Sequence, residues 1–399
     1  MATSREYQGV ILFSILLFCP RAFASSETIG PENNKRAVLK VQELGGVVQQ
    51  MKGGAIVDLS STGVKNSDLS VIKDLRNLRR LDLGQTEIND AGIESIKSVE
   101  SLQELNLGNT RITAKGLRSL GQMRNLKSLG LESTAVGNLG LRALEGCLNL
   151  EELWLVDAGI TDDGLASLET LKNLKALHLD LTITDRGLKH LEALARLEVV
   201  SIPGAHISKA GLKFMKNAKE LRSLNLSHCG IADEDLEPLQ QLTSLRVLDL
   251  NSNRIQGPGL AYLKRLRNLK ELDLGDTQVG DGYLNNLTAI KDLEDLNLAY
   301  TRVTDKDMDQ LSKMKRLRDL KLIYTRVTDD GLERLGNLGG LESLNLHGCK
   351  ITDRSVRTLA GLGKLRFLCL YDTKLTMEGI AAIRANFSGL RYLLVDDGK

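Results

Sequence analysis

A single 24-residue sequence repeats thirteen times between Leu78 and Gly389, and it limits the possible folds more than any other feature of the chain. Its template reads L-x-x-L-x-L-x-x-T-x-I-T-D-x-G-L-x-x-L-x-x-L-x-x, and positions 1 to 24 below refer to it. A fixed period of this length indicates a stack of like units, which supplies an extended surface more readily than a catalytic pocket. The copies open at Leu78, Leu102, Leu126, Leu150, Leu174, Leu197, Leu221, Leu245, Leu269, Leu293, Leu317, Leu341 and Leu365.

Each copy contains two different periodicities. The alternation L-x-L at positions 4 to 6 predicts a short strand with leucines pointing inward. The following T-D-x-G-L-x-x-L-x-x-L predicts a helix that begins at the aspartate or beside it and turns its leucines inward. We interpret the recurrent glycine at position 15 as a turn residue. The predicted fold class is α/β: a horseshoe-shaped leucine-rich repeat solenoid with a parallel β-sheet on the concave face and short helices on the convex face.

The segment before the repeats predicts an N-terminal capping helix. Apolar residues three or four apart between Ala37 and Met51 indicate one apolar helix face, and Gly53-Gly54 would end the helix. Residues 25–53 are therefore read as a linker followed by this cap. The solenoid itself would span residues 54–399, with a degenerate repeat at 54–77, thirteen repeats at 78–389 and a terminal strand at 390–399.

The first 24 residues resemble a signal peptide. Arg5 precedes the apolar run VILFSILLF at residues 10–18, and Ala22-Phe23-Ala24 supplies the small residues of a cleavage site. We therefore expect cleavage after Ala24 and a secreted, periplasmic or cell-envelope location. The run is too short to span a bilayer, so no transmembrane segment is predicted.

Two sets of buried polar residues are interpreted as structural. Position 9 usually carries threonine, whose hydroxyl is expected to bond backbone groups of the adjacent turn. Cys229 and Cys349 share this position five repeats apart, a separation of roughly 24 Å at strand spacing. A disulfide cannot cover that distance, so these two cysteines, together with Cys147 and Cys369, are expected to be free thiols.

The repeats resemble those of a known group of proteins. T-x-I-T-D-x-G-L behind a signal peptide is similar to the exported leucine-rich repeat proteins of planctomycete-type bacteria, and the lead-in AVLKVQELGGVVQQMKGGAIVDLSSTGVKNSDL resembles their entry segment. This resemblance covers residues 37–399 and implies fold and capping but no common substrate. The repeats also resemble those of F-box substrate receptors and the ribonuclease-inhibitor class. Residues 25–53 are too short for an F-box.

Catalytic and nucleic-acid-binding functions find no support in the sequence. The five histidines form no H-E-x-x-H motif and no metal-ligand spacing with cysteine, and no phosphate-binding loop or G-x-S-x-G motif occurs. A formal net charge of +2 lacks the basic footprint of a nucleic-acid binder. We therefore expect no enzyme, no cofactor and no metal.

Residues at the outward positions remain as candidates for binding. Trp154, the only tryptophan, has no structural task in the template, and three departures from the template fall in adjacent repeats around it. Exposed tryptophan with apolar neighbours is typical of interface anchors. The alternative is local drift, with the ring lying flat over a packing defect. The predicted binding residues on the concave face are Glu152, Trp154, Val156, Asp157, His178, Asp180, Leu181, Val199, Pro203, Tyr300, Arg302, Tyr324 and Arg326.

Charged residues also align across later repeats. Tyr300 and Tyr324 stand at position 8, beside basic residues at position 10. Aligned like charges a strand apart repel one another, so such columns indicate either a solvated face or a partner of opposite charge. An acidic band comprises Asp249, Glu271, Asp273, Asp276, Asp295 and Asp319, with Lys321 at its border.

Three functions are compatible with these features. The first is a non-enzymatic, exported scaffold that binds a protein partner through its concave face, with a polysaccharide as the other ligand class. The second is a structural or self-assembling component of the cell envelope. The third is an F-box-like substrate adaptor of a ubiquitin ligase, which a mature chain beginning at Ser25 would exclude.

Overall fold

The computed structural model describes residues 32–387 and 389–396, and it confirms the predicted solenoid. The predicted signal peptide and the linker up to residue 31 lie outside the described residues. Within them, sixteen strands form one sheet in sequence order, and every pair from β2 onward is parallel. The strands are β1 Val47–Met51, β2 Gly54–Asp58, β3 Leu78–Asp82, β4 Glu104–Asn106, β5 Ser128–Gly130, β6 Glu152–Trp154, β7 Ala176–His178, β8 Val199–Ser201, β9 Ser223–Asn225, β10 Val247–Asp249, β11 Glu271–Asp273, β12 Asp295–Asn297, β13 Asp319–Lys321, β14 Ser343–Asn345, β15 Phe367–Cys369 and β16 Tyr392–Leu394.

Short helical segments connect the strands on the other side of the sheet. Some of these segments are α-helical, others are 3₁₀, and several repeats contain one of each. The α-helices are α1 Glu32–Glu43, α2 Asp90–Ile96, α3 Ala114–Leu120, α4 Gly137–Ala143, α5 Asp185–Leu188, α6 Lys209–Leu212, α7 Met308–Leu311, α8 Asp329–Leu335, α9 Val356–Gly361 and α10 Met377–Asn386. The 3₁₀ segments are Asn66–Asp74, Leu144–Gly146, Gly164–Thr170, Lys189–Ala193, Lys213–Asn217, Asp233–Gln241, Pro258–Arg265, Leu284–Ala289, Asp305–Asp307 and Asp353–Ser355.

The predicted extent of the N-terminal helix is wrong. The helix α1 ends at Glu43, and the expected helical residues 47–51 form β1, which pairs antiparallel with β2. Gly45 stops the helix because its φ of +84° suits glycine far better than other residues. The next residue, Gly46, has no room for a side chain, because a Cβ there would lie 2.6 Å from Leu59 Cδ2. The segment therefore folds as a helix and a hairpin, with Val41 buried in the core.

The core consists of the inward template positions. In the copy that opens at Leu102, the residues at positions 1, 4, 6, 11, 16 and 19 are all 0% exposed. Each such leucine or isoleucine contributes roughly 1.5–3 kcal/mol by leaving water. These residues are Leu102, Leu105, Leu107, Ile112, Leu117 and Leu120.

The threonines at position 9 bond the backbone, as predicted. Thr110 Oγ1 donates to the Leu107 carbonyl at 2.6 Å, three residues upstream, and the same bond recurs along the stack. Where threonine is replaced, Asn253 reaches the carbonyls of Leu226 and Leu250 through Nδ2. Cys147, Cys229, Cys349 and Cys369 are free and buried, as expected.

The aspartate at position 13 connects neighbouring repeats. Asp90 accepts hydrogen bonds from the backbone N–H and the hydroxyl of Thr113, at position 12 of the next repeat, at 2.9 and 2.7 Å. The helix N-cap is the residue at position 12, such as Asn89 before Asp90 and Thr113 in the next repeat. Position 13 therefore lies next to the cap, the second of the two predicted placements.

The glycine at position 15 is not a turn residue, contrary to our interpretation. A Cβ on Gly116 would lie 2.5 Å from Asp90 Oδ1, because the carboxylate of the preceding repeat occupies that space. Gly116 does not have a positive φ. The T-D-x-G motif therefore describes an interlock between two repeats.

Candidate functional site

The outward face of the sheet is strongly acidic. Leucines at positions 4 and 6 are buried, so side chains at positions 3, 5 and 7 point to the opposite side and form what we call the sheet face. From β2 to the C-terminal side of β16 these positions hold twelve acidic and two basic residues, although the whole chain has a net charge of +2. The acidic residues are Asp58, Asp82, Glu104, Glu132, Glu152, Asp180, Asp249, Glu271, Asp273, Asp295, Asp319 and Asp396; the basic ones are Arg80 and Lys321.

Trp154 lies on the sheet face, but the expectation that it is exposed is wrong. Its side chain is 9% exposed, and the indole stacks on the His178 ring with centroids 4.0 Å apart and planes 15° apart. The parallel register places the two residues side by side on adjacent strands, which allows the rings to lie flat. Burial also lowers the pKa of His178 to about 4, so the imidazole is neutral at physiological pH.

Exposed apolar side chains do lie beside this ring stack. Leu181 is 64% exposed and Val156 is 37% exposed, both just beyond the strands that carry Trp154 and His178. Val199 and Pro203 are half-buried on the next repeat. We call Trp154, His178, Val156, Leu181 and Pro203 the tryptophan patch.

The repeat that opens at Leu174 is one residue shorter than the template, and its backbone departs from that of the other copies around Leu181. Position 8 elsewhere usually adopts a left-handed backbone, but Leu181 does not. The Thr182 hydroxyl bonds the Ile160 carbonyl of the preceding repeat and Asp180 Oδ1 of its own repeat, in place of the backbone carbonyl three residues upstream that other position-9 threonines use.

Acidic predicted residues border the tryptophan patch. Asp180 accepts the backbone N–H of exposed Asp157 at 2.7 Å. Glu152 is half-buried and accepts from Ser128 Oγ at 3.1 Å, and burial raises the pKa of its carboxyl. The structure therefore brings the first nine predicted residues together on three adjacent repeats, with apolar groups at the centre and carboxylates around them.

The acidic band concentrates negative charge on neighbouring strands. Glu271, Asp295 and Asp319 are direct neighbours in the parallel register. Burial, followed by repulsion from Asp273, raises the pKa of Asp249 to about 7. Burial, followed by repulsion from Asp319, raises the pKa of Asp295 to about 6.

Position 2, one residue away, behaves differently. Its charges alternate in sign along much of the stack, and Arg318 pairs with both Glu294 and Glu342. Alternation relieves repulsion there, whereas in the acidic band Lys321 offsets the repulsion only in part.

Tyr300 and Tyr324 stand apart from the tryptophan patch, at the end of the strands five to six repeats later. Their rings stack with centroids 5.3 Å apart, and they are 53% and 43% exposed. His347 packs edge-on against Tyr324 at 4.7 Å and against Tyr371 at 6.3 Å. Sequence reasoning missed His347 and Tyr371, because they occupy position 7 rather than position 8. The predicted binding residues thus form two separate groups.

Sequence reasoning also missed Glu132. Its Oε2 lies only 3.0 Å from the place where a Cβ atom on Gly108 or on Gly130 would stand. Burial raises the pKa of Glu132 to about 7. The signal was Gly130 at position 5 of the same repeat, where other copies carry a larger residue.

Neither a metal site nor a membrane span is found in the described part of the chain. No group of three or more histidine, cysteine, aspartate or glutamate side chains is placed there to hold a metal ion. None of the helices between residues 32 and 396 that the structure describes is long and apolar enough to cross a bilayer.

Comparison with known proteins identifies the repeat type and the fold. Family models described as leucine-rich repeats match residues 76–136, 219–262, 265–282 and 341–360. None of the curated proteins matches the chain significantly. Among solved structures, an internalin from Listeria monocytogenes is 21% identical with a TM-score of 0.63, and the match covers 86% of this chain and 91% of the internalin.

Two further solved structures are similar. A leucine-rich repeat protein from Leptospira interrogans is 20% identical with a TM-score of 0.57, covering 84% of this chain and 94% of that protein. The leucine-rich repeat ectodomain of a membrane receptor kinase from Arabidopsis thaliana, solved in complex with Casparian strip integrity factor 2, is 18% identical. Its TM-score is 0.55, covering 82% of this chain and 39% of the ectodomain. At these identities the likeness shows the fold, a leucine-rich repeat solenoid.

Proposed function

We propose that this leucine-rich repeat solenoid is a non-enzymatic scaffold that binds a protein partner through its sheet face. The acidic surplus of the sheet face is the observation that carries the proposal. A face that concentrates carboxylates on a nearly neutral chain favours a partner that presents lysine and arginine side chains. The compensating positive charge lies on the other surfaces.

The tryptophan patch supplies an apolar centre for such an interface. Leu181 and Val156 expose aliphatic groups next to the stacked rings of Trp154 and His178. Interfaces commonly combine a buried apolar centre with a charged rim, and the carboxylates of Asp157 and Asp180 provide that rim here. Trp154 contributes as the rigid floor of the patch rather than as a protruding anchor.

The raised pKa values on the sheet face support a cationic partner. Burial, followed by repulsion from neighbouring carboxylates, raises the pKa values of Asp249 and Asp295 and makes their ionised forms costly in the free protein. A lysine or arginine placed beside them would offset that repulsion, so part of the binding free energy would come from relief of existing strain.

The same fold accommodates a named ligand in the plant receptor, which was solved in complex with Casparian strip integrity factor 2. This similarity supports a binding role for the solenoid but identifies no ligand for the present chain. We further propose that the chain is exported by the signal peptide at residues 1–24. Sequencing the N-terminus of the purified mature protein tests this, with Ser25 expected as the first residue and Met1 contradicting export by cleavage.

Affinity capture with paired variants tests the protein-binding function. The bait is the purified protein, and captured proteins are identified by mass spectrometry. Leu181→Asp places a charge in the tryptophan patch, whereas Leu139→Asp places one at an equally exposed leucine on the helical side, 63% exposed against 64%. We expect the first variant to lose a partner that the wild type and the second variant retain. Equal recovery by both variants would contradict the proposed surface.

A further inference from the structure

A column of unpaired basic residues follows the strand ends in the last repeats. Position 10 is basic and exposed in four consecutive copies, and within the described residues none of these four side chains forms an ion pair. By contrast, Arg111 at the same position pairs with Glu87 of its neighbour. The four are Arg302, Arg326, Lys350 and Lys374.

The parallel register keeps these cations close together. Single parallel bridges connect Thr304 with Arg326 and Thr328 with Lys350, so the column follows the repeat spacing of about 4.8 Å. Like charges at that spacing repel one another, and among the described side chains no ion pair relieves them as happens at position 2, although Asp372 accepts from the Tyr324 hydroxyl at 3.1 Å nearby. The arrangement is therefore costly in the free protein.

The exposed tyrosines lie directly beside this column. Thr301 is buried between Tyr300 and Arg302, so both of its neighbours point outward, and Thr325 separates Tyr324 from Arg326 in the same way. Tyr300 and Tyr324 also adopt φ values of +58° and +50°. A bulky residue in this region costs of order 1 kcal/mol or more, and other copies use serine, asparagine or aspartate there.

We propose that this tyrosine–basic edge, formed by Tyr300, Tyr324, Arg302, Arg326, Lys350 and Lys374, binds a linear anionic polysaccharide of the uronate type. Rings and cations recur with the repeat, at a spacing close to the length of one pyranose residue. Guanidinium groups recognise carboxylates through paired hydrogen bonds. The apolar C–H faces of the sugar would pack on the tyrosine rings, and a sugar hydroxyl can bond a tyrosine hydroxyl.

Charge elsewhere on the molecule confines a polyanion to this edge. The neighbouring sheet face carries the acidic band, which repels a negatively charged polymer. One column of four basic residues is a small footprint compared with that of nucleic-acid binders, and the tyrosine rings favour a ligand that has apolar faces as well as charge. This site is separate from the sheet face, so it can fail or succeed independently of the proposed protein-binding function.

Titration calorimetry with short oligogalacturonates tests the site. Arg302→Glu combined with Arg326→Glu should weaken binding by about tenfold or more. The matched control is Arg118→Glu combined with Arg142→Glu, which changes the net charge equally at two exposed, unpaired arginines on helices α3 and α4. We expect the control and Leu181→Asp to bind as the wild type does. Absence of binding to the wild type, or equal loss in the control, would overturn the proposal.

A second variant separates sugar recognition from general attraction to anions. Tyr300→Ser combined with Tyr324→Ser is compatible with the fold, since Ser133 and Ser252 adopt the same left-handed backbone at position 8. This variant should lose affinity for oligogalacturonate while its weak binding to polyglutamate stays unchanged. Binding of polyglutamate or single-stranded RNA by the wild type as tightly as oligogalacturonate would contradict a polysaccharide site.

Discussion

At the scale of single residues, the template is explained by contacts between successive repeats. The carboxylate at position 13 binds the threonine at position 12 of the next repeat and occupies the space that a Cβ at position 15 would need. The two positions change together within this chain. Where position 15 is Tyr283, position 13 of the preceding repeat is Gly257, whose missing side chain leaves room for the ring.

Gly116→Ala tests this interlock. The added methyl group would contact Asp90 Oδ1 at 2.5 Å, so we expect a loss of about 1–3 kcal/mol in the free energy of unfolding. Gly339→Ala is the control, because nothing lies within 4 Å of a Cβ there. Urea denaturation of both variants measures the effect. Equal stability of the two would show that the glycine is not required by packing.

In one repeat, position 15 carries an aspartate opposite the aspartate at position 13 of the preceding repeat, which brings two carboxyls together. Asp307 stands at position 15, is 0% exposed and faces Asp281 of the preceding repeat. Burial, together with the hydrogen bond to Asp281, raises the pKa of Asp307 to about 6. Burial also tends to raise the pKa of Asp281, but hydrogen bonds from Thr304 and Asp307 outweigh burial and lower that pKa. Below about pH 6, protonated Asp307 therefore donates to ionised Asp281, whereas at neutral pH both carboxyls are mostly ionised.

Asp307→Asn should make the protein more stable at neutral pH. Because the pKa of Asp307 is raised on folding, the wild type loses free energy of unfolding as pH rises from about 4 to above 6, and the loss is complete above that range. We expect the variant to match the wild type near pH 4 and to exceed it by about 1–2 kcal/mol at pH 7. Thermal unfolding across this range gives the answer, and a gain that is independent of pH would refute the shared proton.

At the scale of elements, repeats are joined by side-chain to backbone bonds as well as by the sheet. Asp329 accepts from the backbone N–H and the hydroxyl of Thr352, at 2.9 and 2.7 Å, and from Ser355 Oγ. Burial tends to raise its pKa, but these bonds outweigh burial and lower it. Where position 13 is aspartate, the helix N-terminus of the next repeat is thereby held by its predecessor.

Asp329→Ala should therefore destabilise the stack, and its neighbour provides the control. Losing the bonds to Thr352 should cost about 1–3 kcal/mol at pH 7. Asp330→Ala removes only an exposed ion pair with Arg354 and should cost less than about 1 kcal/mol. The lowered pKa of Asp329 in the folded protein means that its ionised form stabilises the fold above the unfolded pKa, and this stabilisation is lost as pH falls. The free energies of unfolding of the two variants should therefore converge in acid. A constant difference between them down to pH 2 would contradict this account.

The repeat period predicted the strands, their parallel order and the buried leucines, because those follow from spacing alone. Spacing could not predict how repeats interlock, so the glycine at position 15 was misread as a turn residue. It also could not distinguish a helix from a hairpin at residues 47–51, where Val47 and Val48 suit a strand. The burial of Trp154 results from stacking on His178 of the adjacent strand. A template that describes one repeat at a time does not show which side chains pair across strands.

At the scale of the whole molecule, charge separates the surfaces. The sheet face is acidic, the tyrosine–basic edge is positive, and the total charge is close to zero. Such a distribution supports two binding surfaces with different partners, and neither resembles a catalytic centre. The sheet face offers the larger continuous area, since it runs through every strand of the stack from β2 onward.

The central claim is that the sheet face contacts a protein partner, and site-specific photo-cross-linking tests it most directly. A benzophenone side chain is placed at Ser223 or Asn297, on β9 and β12, and for comparison at Arg118 or Arg142 on the helical side. We predict that irradiation in cells joins the first two positions to the same discrete protein and leaves the other two without that adduct. Adducts from the helical side alone, or none from the sheet face, would contradict the account.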